Sequence, residues 1–292
     1  MRWRDRRAVL AAALGTMAAC GGAPPAAGHA RARGPVRFGL TPVFLDSDLE
    51  LLRDLEDYLV RALGSGVQLV KRRTYQEIMA LLLSGQLDAA WVCGYPYVQH
   101  ADRLALLAVP LHRGRPLYQS YLISDATAPP AVSIDDLRGR SHAFADPDSN
   151  SGFLATRWLL ARRGAAPGSF FSRSFYAYGH RNVIRAVGAG LADSGSVDGY
   201  VWEVMAEREP ELTRRTVVVA KSGWHGFPPV CCLAAERAGA VAGGVADALL
   251  DMAGSAPGAR VLETLRLDGF ASCEPALFDS IARMTADIRA AG

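Results

Sequence analysis

Apolar and polar positions between residues 36 and 100 change period in a regular order. Val36–Leu40 is a short apolar run that reads as a strand. Thr41-Pro42 and Asp46-Ser47-Asp48 then mark a turn and a helix start. Leu49, Leu52, Leu55, Leu59 and Leu63 fall on one stripe at i, i+3, i+4 spacing, which predicts a helix ending at Gly64. Val67–Val70 predicts a second strand. Tyr75, Ile78, Met79, Leu82 and Leu83 repeat the helical stripe up to Ser84-Gly85, and Leu87–Val92 is a wholly apolar third strand. This alternation predicts an α/β sheet with parallel neighbours.

The aromatic stretch Gly94–His100 follows as a loop, with strands at Leu104–Pro110 and Leu117–Ser124. A second alternation begins at His142. An apolar run ends in the turn-formers Asp146-Pro147-Asp148-Ser149-Asn150-Ser151-Gly152, and a helix-patterned segment runs on to Gly164. Next come a strand near Phe170–Tyr176, a helix over Arg181–Ala189, a strand around Ser196–Tyr200 and a helix over Val201–Arg208. Thr216–Lys221 and Pro228–Ala234 are short and apolar, and helical stripes fill the tail from Ala238. Two such α/β units predict two lobes with a ligand cleft between them, the tail completing the first. Tyr118–Ser124 and Pro229–Leu233 lack Gly/Ser-rich linker character and suit paired hinge strands.

Charge changes the picture by its location. The net charge of +3 is matched by residues 1–19 alone, where Arg2, Arg4, Arg6 and Arg7 face only Asp5. The rest of the chain is formally neutral, which removes the electrostatic case for a nucleic-acid partner. An Arg-rich start, the apolar run Ala8–Ala19 and small residues read as a secretion signal, too short to span a bilayer. Met17-Ala18-Ala19-Cys20 resembles a bacterial lipobox with Met where Leu is usual, which makes Cys20 the expected lipidation site. Arg6-Arg7-Ala8-Val9-Leu10 also resembles a twin-arginine export motif, and a cleaved soluble signal is the alternative. Residues 21–34 lack periodicity and read as a tether. Of the remaining cysteines, Cys93, Cys231, Cys232 and Cys273, a disulfide or buried thiols are equally expected. No C-x-x-C pair or His/Cys cluster has zinc spacing, so no metal or cofactor is expected. No G-x-S-x-G, H-E-x-x-H or P-loop pattern supports an enzyme.

The turn at Ser149–Gly152 carries the candidate chemistry. Ser and Asn side chains cap free N–H groups, and the helix dipole adds partial positive charge, so a strand feeding such a turn is an anion site. Ordinary capping is the simpler reading of the turn alone. Three segments together resemble one family, the phosphate/phosphite/phosphonate-binding proteins of ABC importers. They are TYQEIMALLLSGQLDAAWVCGYPYV (residues 74–98), ADPDSNSGFLATRWLLARRG (145–164) and GHRNVIRAVGAGLADSGSVD (179–198). Their order and spacing match across Val36 to Leu277.

The resemblance implies a type II periplasmic binding fold: two lobes, each a mixed sheet flanked by helices, joined by two hinge strands. The expected boundaries are 1–19 for the signal, 20–34 for the tether, 35–121 for lobe 1, 122–226 for lobe 2 and 227–292 for lobe 1 completion. The implied function is capture of a small oxyanion, phosphate, phosphite or a phosphonate, by a monomeric, lipid-anchored extracytoplasmic protein that serves an ABC permease. By resemblance Ser149, Asn150, Ser151 and Gly152 donate to the oxyanion, and His180 joins them. Tyr75 and one of Tyr95 and Tyr97 face them from the first lobe. Asn150 stands where the family frequently has Thr, and Glu203 is carried over as a carboxylate for an aminophosphonate. The same fold used as a sensor or as a presenter of a ligand or metal, with His142, His180 or His225 as metal-related groups, is the alternative.

Overall fold

The computed structural model describes residues 34–42 and 49–291. The expected signal, the Cys20 lipidation site, most of the tether and the Asp46–Asp48 helix start lie outside the described residues.

Strands β1 (Val36–Leu40), β2 (Val67–Lys71) and β3 (Ala89–Trp91) pair in parallel around β1, with Phe38 beside both Leu69 and Ala89. The helices Leu49–Leu63 and Tyr75–Leu83 make the crossovers. The first buries Leu51, Leu55, Tyr58 and Leu59, so of the expected stripe Leu55 and Leu59 face the core while Leu49 is exposed. The second opens on a reciprocal cap. Thr74 Oγ1 accepts from the Glu77 N–H at 3.2 Å, and Glu77 Oε2 accepts from the Thr74 N–H at 3.0 Å. Gly39 in β1 has no room for a side chain, since a Cβ would lie 2.6 Å from Leu87 Cδ1.

The chain then runs through β4 (Leu104–Leu111) and β5 (Leu117–Tyr118) into β6 (Ser120–Asp125). A second sheet follows, with β7 (Ser141–Phe144), β8 (Arg173–Tyr176), β9 (Ser194–Asp198) and β10 (Thr216–Lys221) in the order β10-β6-β9-β7-β8. Strands β11 (His225–Gly226), β12 (Val230–Leu233) and β13 (Gly269–Ala271) bring it back. β12 inserts antiparallel between β3 and β4, and β13 adds the far edge, giving the order β13-β4-β12-β3-β1-β2. Both sheets are mixed and flanked by helices.

Several local expectations change. The strands that link the two sheets are β5 and β11, paired antiparallel with His225 opposite Tyr118. Of the expected crossings Tyr118–Ser124 and Pro229–Leu233, Tyr118 lies on this pair, whereas Ser120–Asp125 and Val230–Leu233 are strands inside the sheets with buried apolar faces. Gly94–His100 is not a loop: Gly94–Gln99 is helical, and Gly94 is close-packed, with its virtual Cβ 2.7 Å from Ile281. The strand expected near Phe170 begins only at Arg173, because Pro167 starts a short helical turn over Pro167–Phe170. Cys93, Cys231, Cys232 and Cys273 are all free thiols.

His142 lies on β7 in the second core, stacked on Phe171 with ring centroids 4.2 Å apart. Its Nδ1 and Nε2 each lie 2.8 Å from a hydroxyl, of Ser194 and Ser196. It is a satisfied core residue rather than a metal ligand, and burial pulls its pKa down from 6.5 to about 3. The unfolded chain takes up this proton below its ordinary value while the folded chain does not. Stability from His142 is therefore complete above that value and falls with pH by about 1.4 kcal/mol per unit. Urea unfolding from about pH 7 to about pH 5 should show a fall in stability to which the buried His180 and His225 also contribute, and His142→Gln should make that fall shallower by about 1.4 kcal/mol per unit.

Candidate functional site

The polar groups that matter follow the carboxyl ends of parallel strands, where open α/β sheets hold their ligands. In the first lobe β2 leads to Thr74 and Tyr75, and β3 leads to Cys93. In the second β7 leads to Asp146 and Ser149, β8 to His180, and β9 ends at Asp198.

The turn after β7 is built by its own side chains. Asp146 Oδ1 accepts from the Asp148 N–H at 2.8 Å, and Oδ2 accepts from the Tyr75 N–H of the first lobe at 3.3 Å. Ser149 Oγ accepts from the Gly152 N–H at 2.9 Å. The first turn is π-helical over Asn150–Leu154, not α-helical: the Leu154 N–H reaches back to the Ser149 carbonyl at 3.0 Å, and Ala155–Ala161 continues as an α-helix. Gly152 permits this winding. A Cβ there would lie 2.3 Å from Ala145 Cβ and 3.1 Å from His180 Cε1.

Around this turn a buried polar cluster closes. The Asn150 N–H donates to Cys93 Sγ at 3.3 Å, and Asn150 Nδ2 donates to Tyr118 Oη at 2.8 Å. Ser120 Oγ donates to the Ser151 carbonyl at 2.6 Å. His180 opens the helix His180–Gly188, and its Nδ1 accepts from the Asp198 N–H at 3.0 Å. The ring proton is therefore on Nε2, which lies 3.3 Å from Tyr75 Oη. Asp198 caps the helix Gly199–Arg208 through Oδ1, which accepts from the Tyr200 N–H at 2.9 Å. Two oxygens in this cluster, Asn150 Oδ1 and Asp198 Oδ2, are buried with no hydrogen-bond partner among the described residues.

Burial sets the charge state. Desolvation lowers the His180 pKa to about 3, lifts Cys93 to about 12, and raises Tyr75 and Tyr118 well above the ordinary phenol value. Asp198 is pushed up to about 7 by the same cause, against the pull of its two capping N–H groups. At neutral pH the cluster thus offers neutral donors and one carboxyl poised between forms. Ser149, Asn150, Ser151, Gly152, His180 and Tyr75 come together as expected.

Three other expected residues stand elsewhere. Tyr97 packs on Phe278 in the first lobe, with centroids 4.8 Å apart. Tyr95 heads the same short helix but faces the charges of Asp148, Arg157 and Arg289. Glu203 lies at a separate cavity beside the hinge, 3.0 Å from Arg113 Nη1 and bonded to Tyr121 Oη, and these partners with His112 hold its pKa at about 2. Sequence reasoning did not single out Cys93, Tyr118 and Asp198. The Asp198-Gly199 step at a strand end, an N-cap signal, could have found the last. Among the described residues no group of three or more His, Cys, Asp or Glu could hold a metal.

Two mixed sheets joined by a paired hinge, with polar groups of both lobes meeting between them, define a two-lobed binding protein of the type II periplasmic class. Solved structures share this fold. A binding-protein component of a Pseudomonas aeruginosa ABC phosphonate transporter matches with a TM-score of 0.81 at 18% identity, over 88% of this chain and 87% of its own. PhnD1 from Prochlorococcus marinus, in complex with methylphosphonate, matches at 0.78 and 16% identity, over 87% and 98%. Residues 38–278 match the model of the ABC transporter phosphonate periplasmic substrate-binding proteins, and the chain belongs to that family. The phosphate-import protein PhnD of Mycolicibacterium smegmatis is 30% identical over 166 residues, 53% of this chain and 52% of that protein. The chain thus spans about half the length of that curated relative.

Gly152→Ala drives a methyl group into Ala145 and the His180 ring. It should destabilise the protein by about 1–3 kcal/mol, the usual range for overpacking, read as a lower urea midpoint. Gly168→Ala, in open space, should leave that midpoint near its native value.

Proposed function

We propose that this protein is an extracytoplasmic solute-binding component of an ABC importer that captures a small phosphorus oxyanion between its lobes and presents it to the permease. Binding rather than turnover is its role, and lipid attachment through Cys20 with a monomeric body fits the N-terminal sequence. The observation that carries this reading is the convergence of the Ser149–Gly152 turn, the Nε2–H of His180 and the Tyr75 and Tyr118 hydroxyls in one buried interlobe cluster. A dehydrated oxyanion needs a donor for each oxygen, and helix-start amides, hydroxyls and an imidazole N–H can provide them without a buried cation. Family membership and the methylphosphonate held by the Prochlorococcus neighbour support the same class of ligand.

The unpartnered Asp198 Oδ2 and Asn150 Oδ1 refine the ligand. Asn150 Oδ1 accepts, and Asp198 Oδ2 accepts when its carboxyl is ionised, so a hydroxyl-bearing monoanion of phosphate, phosphite or an alkylphosphonate can bring a proton to each. Sulfate, which carries no proton near neutral pH, has nothing to offer Asn150 Oδ1 or the ionised Asp198 carboxylate.

Melting temperature should rise with phosphate, phosphite or methylphosphonate at millimolar concentration, and sulfate should leave it unchanged. The absence of a shift with every phosphorus oxyanion would remove the proposal. Affinity should fall as pH rises past the loss of the ligand's last proton, and fall less steeply in Asp198→Asn. Ser151→Ala should weaken binding about tenfold while the unliganded melting temperature holds, as expected for loss of one hydrogen bond to a charged ligand.

A further inference from the structure

Beside the hinge the chain forms a second concavity that the buried cluster does not use. A cavity of about 610 Å³ is walled by Trp158 and Leu159 of the second lobe, by Arg283 and Met284 of the last helix, and by Lys221 and Trp224 of the returning segment. That volume lies within the range of small-molecule sites, about 300–1,000 Å³. Its walls are mainly apolar, and the Trp224 ring is half exposed, with the Arg115 guanidinium 5.5 Å from its centroid. Large aromatic surface left uncovered at a concavity marks a binding site more often than a scattered surface residue does.

The same cavity is lined by one buried polar group without a full set of partners. His225 is 5% exposed, its Nδ1 lies 3.0 Å from Ser280 Oγ, and its Nε2 has no partner among the described residues. Burial lowers its pKa to about 4, so the ring is neutral. The Ser280 hydroxyl can donate to Nδ1, and in that arrangement the ring proton sits on Nε2 as a donor with no partner among the described residues. A buried donor of this kind is destabilising unless something accepts from it. Lys221 and Arg283 put positive charge on the same walls, with the Lys221 ammonium 4.5 Å from the centroid of the Tyr121 ring. The other two charged groups there are already engaged, Arg163 with Asp135 at 3.0 Å and Asp287 with the Trp158 indole N–H at 2.8 Å.

We propose that this cavity is a second ligand site, for an amphipathic anion with an aliphatic or aryl body and a carboxylate head. The body lies against Trp158, Leu159, Trp224 and Met284. The head accepts from His225 Nε2–H and is drawn by Lys221 and Arg283. The site lies beside the interlobe cluster, which it borders at Ser120 and at His225, the β11 partner of Tyr118. Its occupancy does not depend on which oxyanion that cluster takes.

Octanoate titrated into the full chain should give a saturable change in tryptophan fluorescence, because Trp158 and Trp224 both line the cavity. Octanol, with the same body and no charge, should bind about tenfold more weakly or worse, since it loses the charge-assisted contacts. His225→Phe and Lys221→Gln should each weaken octanoate about tenfold, with circular dichroism and melting temperature in buffer near native. Lys221 is exposed, so its variant carries the test if the His225 variant does not fold. A linear, non-saturating response to octanoate overturns the proposal. So does equal binding of octanol, or native affinity in a folded Lys221→Gln.

Discussion

One small hydrogen bond sets the chemistry of the interlobe cluster: the backbone N–H of Asp198 donating to Nδ1 of His180. It assigns the imidazole tautomer and turns Nε2–H toward Tyr75. Because the ring is buried and neutral, it serves as a directed donor that adds no net charge. The same residue, Asp198, uses its side chain to cap the following helix and leaves one oxygen unpaired. A single strand end thus supplies the lock on the histidine, the start of a helix and an acceptor facing the cluster.

The sheets make this convergence possible. β7, β8 and β9 lie side by side in parallel, so the turn at Ser149, the helix start at His180 and Asp198 emerge at the same edge. β1, β2 and β3 do the same in the first sheet, which brings Tyr75 and Cys93 to a common edge. Asp146 ties the two edges together by accepting from the Tyr75 N–H across the lobes. Cross-lobe bonds of this kind exist only when the edges face each other, and the two-strand hinge of β5 and β11 keeps them facing. Tyr118 sits on that hinge, and its hydroxyl accepts from Asn150. Hinge position and site geometry are linked through this one side chain. The Asn150 amide reaches Tyr118 and still leaves an oxygen for another partner.

Much of this was legible in the residue pattern, because strand and helix periods are local properties. The leucine stripe of Leu49–Leu63, the alternation of strands and helices and the turn-formers at Asp146–Gly152 each declare themselves within a few residues. The family resemblance rested on such local segments, and it located Tyr75, Ser149, Asn150, Ser151, Gly152 and His180. Errors arose where a short apolar run has no period of its own. Tyr118–Ser124 and Pro229–Leu233 read as crossings because a buried central strand and a buried hinge strand look alike in sequence. Glu203 stands at the separate cavity because its neighbours Arg113 and Tyr121, remote in sequence, are brought to it only by the packed fold.

Sequence alone determined the α/β class, the two-unit organisation and the donor-rich turn, since each follows from propensity, spacing and side-chain chemistry close along the chain. Tertiary structure decided which groups share a site and in what protonation state. Asp198, Tyr118 and Cys93 acquire their roles from partners 18 to 57 residues away, and desolvation by the whole fold moves their proton affinities. It also decided the π-helical start at Asn150, which depends on Gly152 fitting against Ala145 and His180. Contacts and burial of this kind are sums over distant residues, and no local window of the chain contains them.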